Sequence, residues 1–158
     1  MSSPIDPAQN DNSLVDDGEY LLRRFPNEGD KFDFVKKIPL FASFLPSKAD
    51  TDGLSLNREG FMTAEDFLSH SQSPNMKLCG GVAAVLASWV RKEGMTIVSA
   101  TAELPGHVLI PEINRKDYDF VALDGSRELK HLIQGLADKL ARAAEIRISP
   151  KPKNQIPS

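Results

Sequence analysis

Residues 80 to 94 read GGVAAVLASWVRKEG, and the secondary structure assigned to this run decides the fold. Val82, Val85, Leu86, Trp89 and Val90 fall at i, i+3, i+4, i+7 and i+8, the stripe of an amphipathic helix that lays one face on a core. Gly80 and Gly81 precede the stripe, and Gly94 stands where a C-terminal cap residue is expected. Arg91 and Lys92 suit the negative end of the helix dipole. The spacing therefore predicts a helix over 80–93.

Downstream of this run the pattern changes to short strands. MTIVSAT (95–101), HVLIPEI (107–113) and YDFVAL (118–123) are β-branched or aromatic and bounded by turn residues. A last helix is expected over 126–146, with Leu129, Leu132, Ile133, Leu136, Leu140 and Ala143 on one face and Arg127, Lys130, Lys139 and Arg142 in water. Upstream, EYLLRRF (19–25) reads as a strand closed by a turn at Pro26 to Gly29. The segment 33–47 is apolar but interrupted by Pro39 and Pro46, so it is irregular or a short bent helix. Asp52-Gly53 turns the chain into a strand at Leu54 to Leu56. In MTAEDFLSHS (62–71), Thr63 is placed to cap a helix whose first turn carries Glu65 and Asp66. Short strands with two substantial helices, and no βαβ alternation, give an α+β class. The expected architecture is a small mixed or antiparallel sheet packed by helices at about 80–93 and 126–146.

At 158 residues the chain is long enough for one domain with a real core. Residues 1–18 hold Asp6, Asp11, Asp16 and Asp17 without a Lys or Arg and read as a flexible acidic tail, and 149–158 as a second loose end. The domain is expected over 19–148. A net charge of −3 offers no general attraction to nucleic acid or anionic membrane. No apolar run approaches the roughly 20 residues of a bilayer span. MSSPIDPAQN lacks the basic and apolar regions of a signal peptide, and the single cysteine, Cys79, fits a reducing compartment. A cytoplasmic protein is expected.

KADTDGLSLNRE (48–59) places Asp50, Asp52, Gly53 and Glu59 at the third, fifth, sixth and twelfth positions of an EF-hand loop. Lys48 occupies the first position, where a carboxylate should bind, and Pro46 stands where the incoming helix would end. The stretch is read as an acidic turn, not a calcium loop.

Several of these stretches also occur together elsewhere. The order Leu22-Arg23-Arg24, Ser43-Phe44-Leu45-Pro46-Ser47, Asp52-Gly53-Leu54-Ser55-Leu56, Thr63-Ala64-Glu65, Gly81 to Val85 and Pro105-Gly106-His107-Val108-Leu109-Ile110 resembles a family of small bacterial cytosolic proteins with no settled activity. The likeness spans roughly residues 20–112 and implies a bacterial cytosolic origin rather than a function. Cysteine in that family sits late in the Gly-Val run, whereas Cys79 precedes it here, so no role for Cys79 follows.

His107 is the first candidate for chemistry. It follows a Pro-Gly turn and opens an apolar strand, and imidazole is the usual general base or metal ligand near neutral pH. The plainer reading is a strand-end histidine bonded to backbone. Cys79, just before the expected helix start, is a candidate nucleophile, because a helix N-terminus activates a thiol. Glu112 is the alternative partner, and Asp117 or Glu112 a possible orienter of His107. Gly80-Gly81 offers free N–H groups to a phosphate but lacks the spacing of a phosphate-binding loop. Arg23, Arg24, Ser43, Ser47 and Ser55 match in outline an ADP-ribosyltransferase layout with Glu112 as its acid. Arginine on an edge strand is also an ordinary solubilising device. His70, His107 and His131 show no ligand spacing, so no metal is expected, and no cofactor.

No catalytic constellation is complete. The expectation is therefore an accessory protein that binds a protein partner, with an enzyme using His107 and Cys79 or Glu112 as the alternative.

Overall fold

The computed structural model describes residues 14–101, 104–119 and 126–152. Among them the chain folds as α+β, with strands β1 (Tyr20–Phe25), β2 (Phe32–Asp33), β3 (Ile38–Pro39), β4 (Leu54–Arg58), β5 (Gly81–Leu86), β6 (Val98–Ser99), β7 (His107–Ile110) and β8 (Glu145–Ile148). Helices are α1 (Ala64–Ser69), α2 (Pro74–Cys79), α3 (Ala87–Lys92), α4 (Arg115–Tyr118) and α5 (Ser126–Ala143), with a 3-10 turn at Phe41–Phe44. Six strands form one antiparallel sheet in the order β6-β7-β4-β1-β5-β8, and β2 and β3 make a separate hairpin.

The opening stretch is where the structure departs most from expectation. Gly81–Leu86 is a central strand between β1 and β8, and only Ala87–Lys92 is helical. Alternate residues of β5 enter opposite cores. Ala83 and Val85 join the larger core, while Val82 and Ala84 join the smaller one. A strand buried on both faces has no polar side to show, so it reads as a continuous apolar run, and valines three apart then mimic a helical stripe. Gly94 does end the following helix, with a positive φ of 85°.

The larger core lies between the sheet and α5, where Leu21, Phe25, Leu56, Val85 and Val108 from the strands meet Ile133, Ala137 and Leu140. The 3-10 turn buries Phe44 in the same layer. On the opposite face Leu22, Val82 and Ala84 pack against Ala64, Phe67 and Leu68 of α1. Thr63 caps α1 as expected, its Oγ1 accepting from the Asp66 N–H at 3.2 Å.

The last helix stops at Ala143 instead of 146, because the chain continues as edge strand β8. Its buried face is Ile133, Ala137, Leu140 and Ala141, and Leu132 is left exposed. The end regions also differ from expectation. Val15 is buried in the larger core, and Pro150 and Lys151 lie against the fold, Lys151 N–H donating to the Cys79 carbonyl at 2.9 Å. Residues 1–13 and 153–158 lie outside the described residues. Of the strand expected over 118–123, Tyr118 closes α4, and 120–123 lie outside the described residues.

Candidate functional site

β1 and β4 pair only at Leu21↔Arg58 and Leu22↔Asn57. Beyond Leu22 the two strands part, and the gap opens into a cleft of about 790 Å³. Both arginines of β1 border it, together with the wall from Ala42 to Asp50, Ser55 of β4 and Arg115 and Tyr118 of α4. The stretches around Arg23, Ser43 and Ser55 thus meet at one place.

The two neighbouring arginines have different tasks. The Arg23 guanidinium fills the gap between the strands. Its Nε donates to the Ser43 carbonyl at 3.0 Å and its Nη2 to the Leu45 carbonyl at 3.0 Å. Its Nη1 donates to the Ser55 carbonyl at 3.1 Å and to buried Asp50 at 3.2 Å. Each of those carbonyls would otherwise need a ladder partner or water. Asp50 in turn accepts from the Ser47 N–H at 2.8 Å, and its carbonyl accepts from the Arg115 N–H at 2.8 Å. Arg23 therefore gives four of its five donors to the scaffold, and it lies on a central strand, not on an edge.

Arg24 points to the other face of the sheet. Its Nη1 donates to the Phe67 carbonyl in the last turn of α1 at 2.6 Å, and its guanidinium lies 4.5 Å above the Phe67 ring. No carboxylate pairs with it among the described residues. Burial, and then repulsion from Arg23, lower its pKa from the usual arginine value. Lys48, exposed on the opposite wall, also has no ion pair among the described residues.

His107 sits on β7 behind Ser55. The ladder pairs Ser55↔Leu109 and Asn57↔His107 put Ser55 and His107 on one face as diagonal neighbours. His107 Nδ1 lies 2.8 Å from the Ala100 carbonyl, and its Nε2 is hydrogen-bonded to Ser55 Oγ. A carbonyl only accepts, so the neutral ring carries its proton on Nδ1 and Nε2 must accept from the Ser55 hydroxyl. Gly106, at a φ of 77° and packed on Phe61, makes the turn that delivers His107 to this position. Asn57, opposite His107, donates to the Pro105 carbonyl at 3.3 Å. Its buried Oδ1 has no hydrogen-bond partner among the described residues.

The other expected site residues lie apart from His107. Cys79 is the last residue of α2, buried, and so has no helix N-terminus to activate its thiol. Glu112 accepts from the Thr96 N–H at 2.8 Å and the Thr96 hydroxyl at 2.7 Å, bracing the loop before β6. Asp117 is engaged with Asn114 at the start of α4. Neither Cys79 nor Glu112 shares a hydrogen bond with His107, whose side-chain partner is Ser55. Gly80 and Gly81 are not a phosphate cradle. Gly80 ends α2, and a Cβ on Gly81 would come within 2.7 Å of the Phe25 ring.

Arg23, Arg24, Ser43, Ser47 and Ser55 do line one cleft, but Glu112 is not among its lining residues, so the ADP-ribosyltransferase layout lacks its acid. The carboxylates of the acidic turn face three different cations: Asp50 faces Arg23, Asp52 faces Lys116 at 3.4 Å, and Glu59 faces Arg147 at 2.8 Å. No protein-family profile, curated protein or solved structure matches the chain. Sequence reasoning missed Ser55 as a partner for His107. The signal available was the pair of turns Asp52-Gly53 and Pro105-Gly106, each launching a strand with a polar residue near its start.

Proposed function

We propose that this chain is an accessory protein that binds a partner protein, and that its recognition site is the cleft where β1 and β4 part. What enters is an acidic side chain of the partner. The observation that carries this reading is Arg24, a partly desolvated cation at the cleft with no carboxylate of its own among the described residues. A cation held in that state costs free energy, and an incoming carboxylate returns it as a charge-assisted, bidentate contact. Lys48 adds positive charge at the mouth.

Phe41, the residue before Ala42 of the wall, is exposed, and so are Val35 and Ile38 in the β2–β3 segment that precedes it. Apolar side chains beside a charged pocket suit a polypeptide better than a free small anion. With a net charge of −3 the molecule has no long-range pull on nucleic acid, so the cleft cations serve a local contact. Among the described residues no helix is long and apolar enough to cross a membrane. The single buried cysteine and the family resemblance favour the bacterial cytosol as the setting.

Screening a displayed peptide library against the folded protein tests this directly. Selected peptides should share an Asp or Glu flanked by apolar residues, and their affinity should fall with added salt. Arg24→Gln should lower that affinity by about tenfold or more. Neutral or basic selected peptides, or unchanged binding by Arg24→Gln, would overturn the reading.

A further inference from the structure

Ser55 and His107 are joined in a way that partner binding does not use. Three groups stand in line: the Ala100 carbonyl, the His107 ring and the Ser55 hydroxyl. The carbonyl holds the Nδ1 proton, which leaves the Nε2 lone pair facing Ser55 and fixes the tautomer a general base requires. When the ring gains a second proton, the same carbonyl stabilises the cation, the task a carboxylate performs in the better-known serine–histidine systems. Both side chains come from paired strands of the main sheet, so their separation is set by the ladder and not by a loop. Ser55 borders the cleft, and Arg24 borders the same cleft with its positive charge.

We propose that Ser55 and His107 form a nucleophile–base pair that hydrolyses a carboxylic ester bound in this cleft. The inference goes beyond the binding reading and shares the cleft and Arg24 with it, while the Ser55–His107 pair belongs to it alone. Ser55 Oγ bonds to the ester carbonyl carbon while its proton passes to His107 Nε2. Negative charge gathers on the carbonyl oxygen, and Arg24 supplies the positive field that stabilises it. The intermediate collapses as the bond to the leaving oxygen breaks, and that oxygen takes the proton from His107 and departs as an alcohol. Water then attacks the acyl group on Ser55 with His107 again accepting a proton. The acyl–Oγ bond breaks, the acid leaves, and Ser55 regains its hydrogen. The net change is ester plus water to acid plus alcohol.

The test uses a fluorophosphonate probe, whose phosphorus bonds to an activated serine oxygen with loss of fluoride, on the full chain. Peptide mapping of the wild-type protein should place the adduct on Ser55. His107→Asn keeps a polar side chain that can still bond the Ala100 carbonyl but presents no basic nitrogen to Ser55, and it should slow labelling by about a hundredfold or more. Ser55→Ala should remove the adduct while thermal melting shows a folded protein. Should that variant not fold, Ser55→Cys keeps the size and places a thiol against Nε2. It should then react with iodoacetamide at least about tenfold faster than it does in the Ser55→Cys, His107→Asn double variant. A folded wild-type protein with no adduct on Ser55, or equal labelling in His107→Asn, would overturn the proposal. Peptide capture through Arg24 is scored separately, so either reading can fail alone.

Discussion

Adjacent arginines on one strand illustrate how much a single position decides. Arg23 offers its donors to three carbonyls and Asp50, and all of these stay behind if it is removed. Leaving buried acceptors and a carboxylate unpaired costs far more than the net worth of the bonds. Arg23→Met should therefore destabilise the protein by about 3–5 kcal/mol. Arg24→Met loses one hydrogen bond and a ring contact, but it also removes a desolvated charge without a counter-ion, so the two effects offset each other. Its stability should stay within about 1 kcal/mol of wild type. Urea unfolding of both variants checks the contrast, and equal losses would mean that Arg24 is a scaffold residue too. The sequence shows only two consecutive arginines. Which one is held by the scaffold depends on carbonyls 20 to 32 residues away, and no local pattern carries that information.

At the scale of elements, much of the layout was legible. Tyr20–Phe25, Leu54–Arg58 and His107–Ile110 are short β-rich runs between turn residues, and Thr63 marks the start of α1. Gly81–Leu86 was not legible, because burial on both faces erases the alternation that identifies a strand. β8 was hidden inside the apparent end of a long helix, since Ile146 and Ile148 continue an apolar pattern whose period changes only after Ala143. The glycines separate the two structural readings of the opening stretch. A Cβ on Gly81 would meet the Phe25 ring at 2.7 Å, Pro150 at 2.8 Å and the Ile148 carbonyl at 2.9 Å, so strand packing leaves it no room. Gly81→Ala should cost about 1–3 kcal/mol by overpacking. Gly135, inside α5, faces open space, and Gly135→Ala should raise stability by about 0.8–1 kcal/mol through helix propensity. Thermal or denaturant melts of the two variants should move in opposite directions. A harmless Gly81→Ala would restore the helix reading of residues 80–93.

For the whole molecule, the question is where the cooperative unit begins. Composition places residues 1–18 outside it, since four aspartates and little apolar surface do not pay the entropy of ordering. The last five of these residues nevertheless strap across the fold. Val15 is buried in the larger core, and its carbonyl accepts from Arg91 Nη2 at 2.6 Å. Asp17 pairs with Arg91 Nη1 at 2.6 Å, and its carbonyl accepts from the Ser88 N–H at 3.0 Å. Just beyond, Glu19 pairs with Arg58 at 2.8 Å and receives the Ala87 N–H, so the strap fastens the start of α3 to β1 and β4. Val15 alone docks the segment, its neighbour Leu14 being exposed, and two adjacent apolar residues beside a pair of acids carry no periodic signal. Burying a valine is worth about 1.5–3 kcal/mol. Each hydrogen bond adds about 0.5–1.5 kcal/mol, and the exposed ion pair adds about 0–1 kcal/mol. Ordering the strap opposes that gain and leaves only part of it. Chains beginning at Leu14 and at Gly18 should therefore differ in stability by about 1–3 kcal/mol, with the longer one more stable. Val15→Ala in the full chain should account for about 1–2 kcal/mol of the difference, because the backbone contacts survive it. Guanidinium unfolding of the three proteins measures this. Identical midpoints would show that the strap is loose in solution and that the cooperative unit begins at β1.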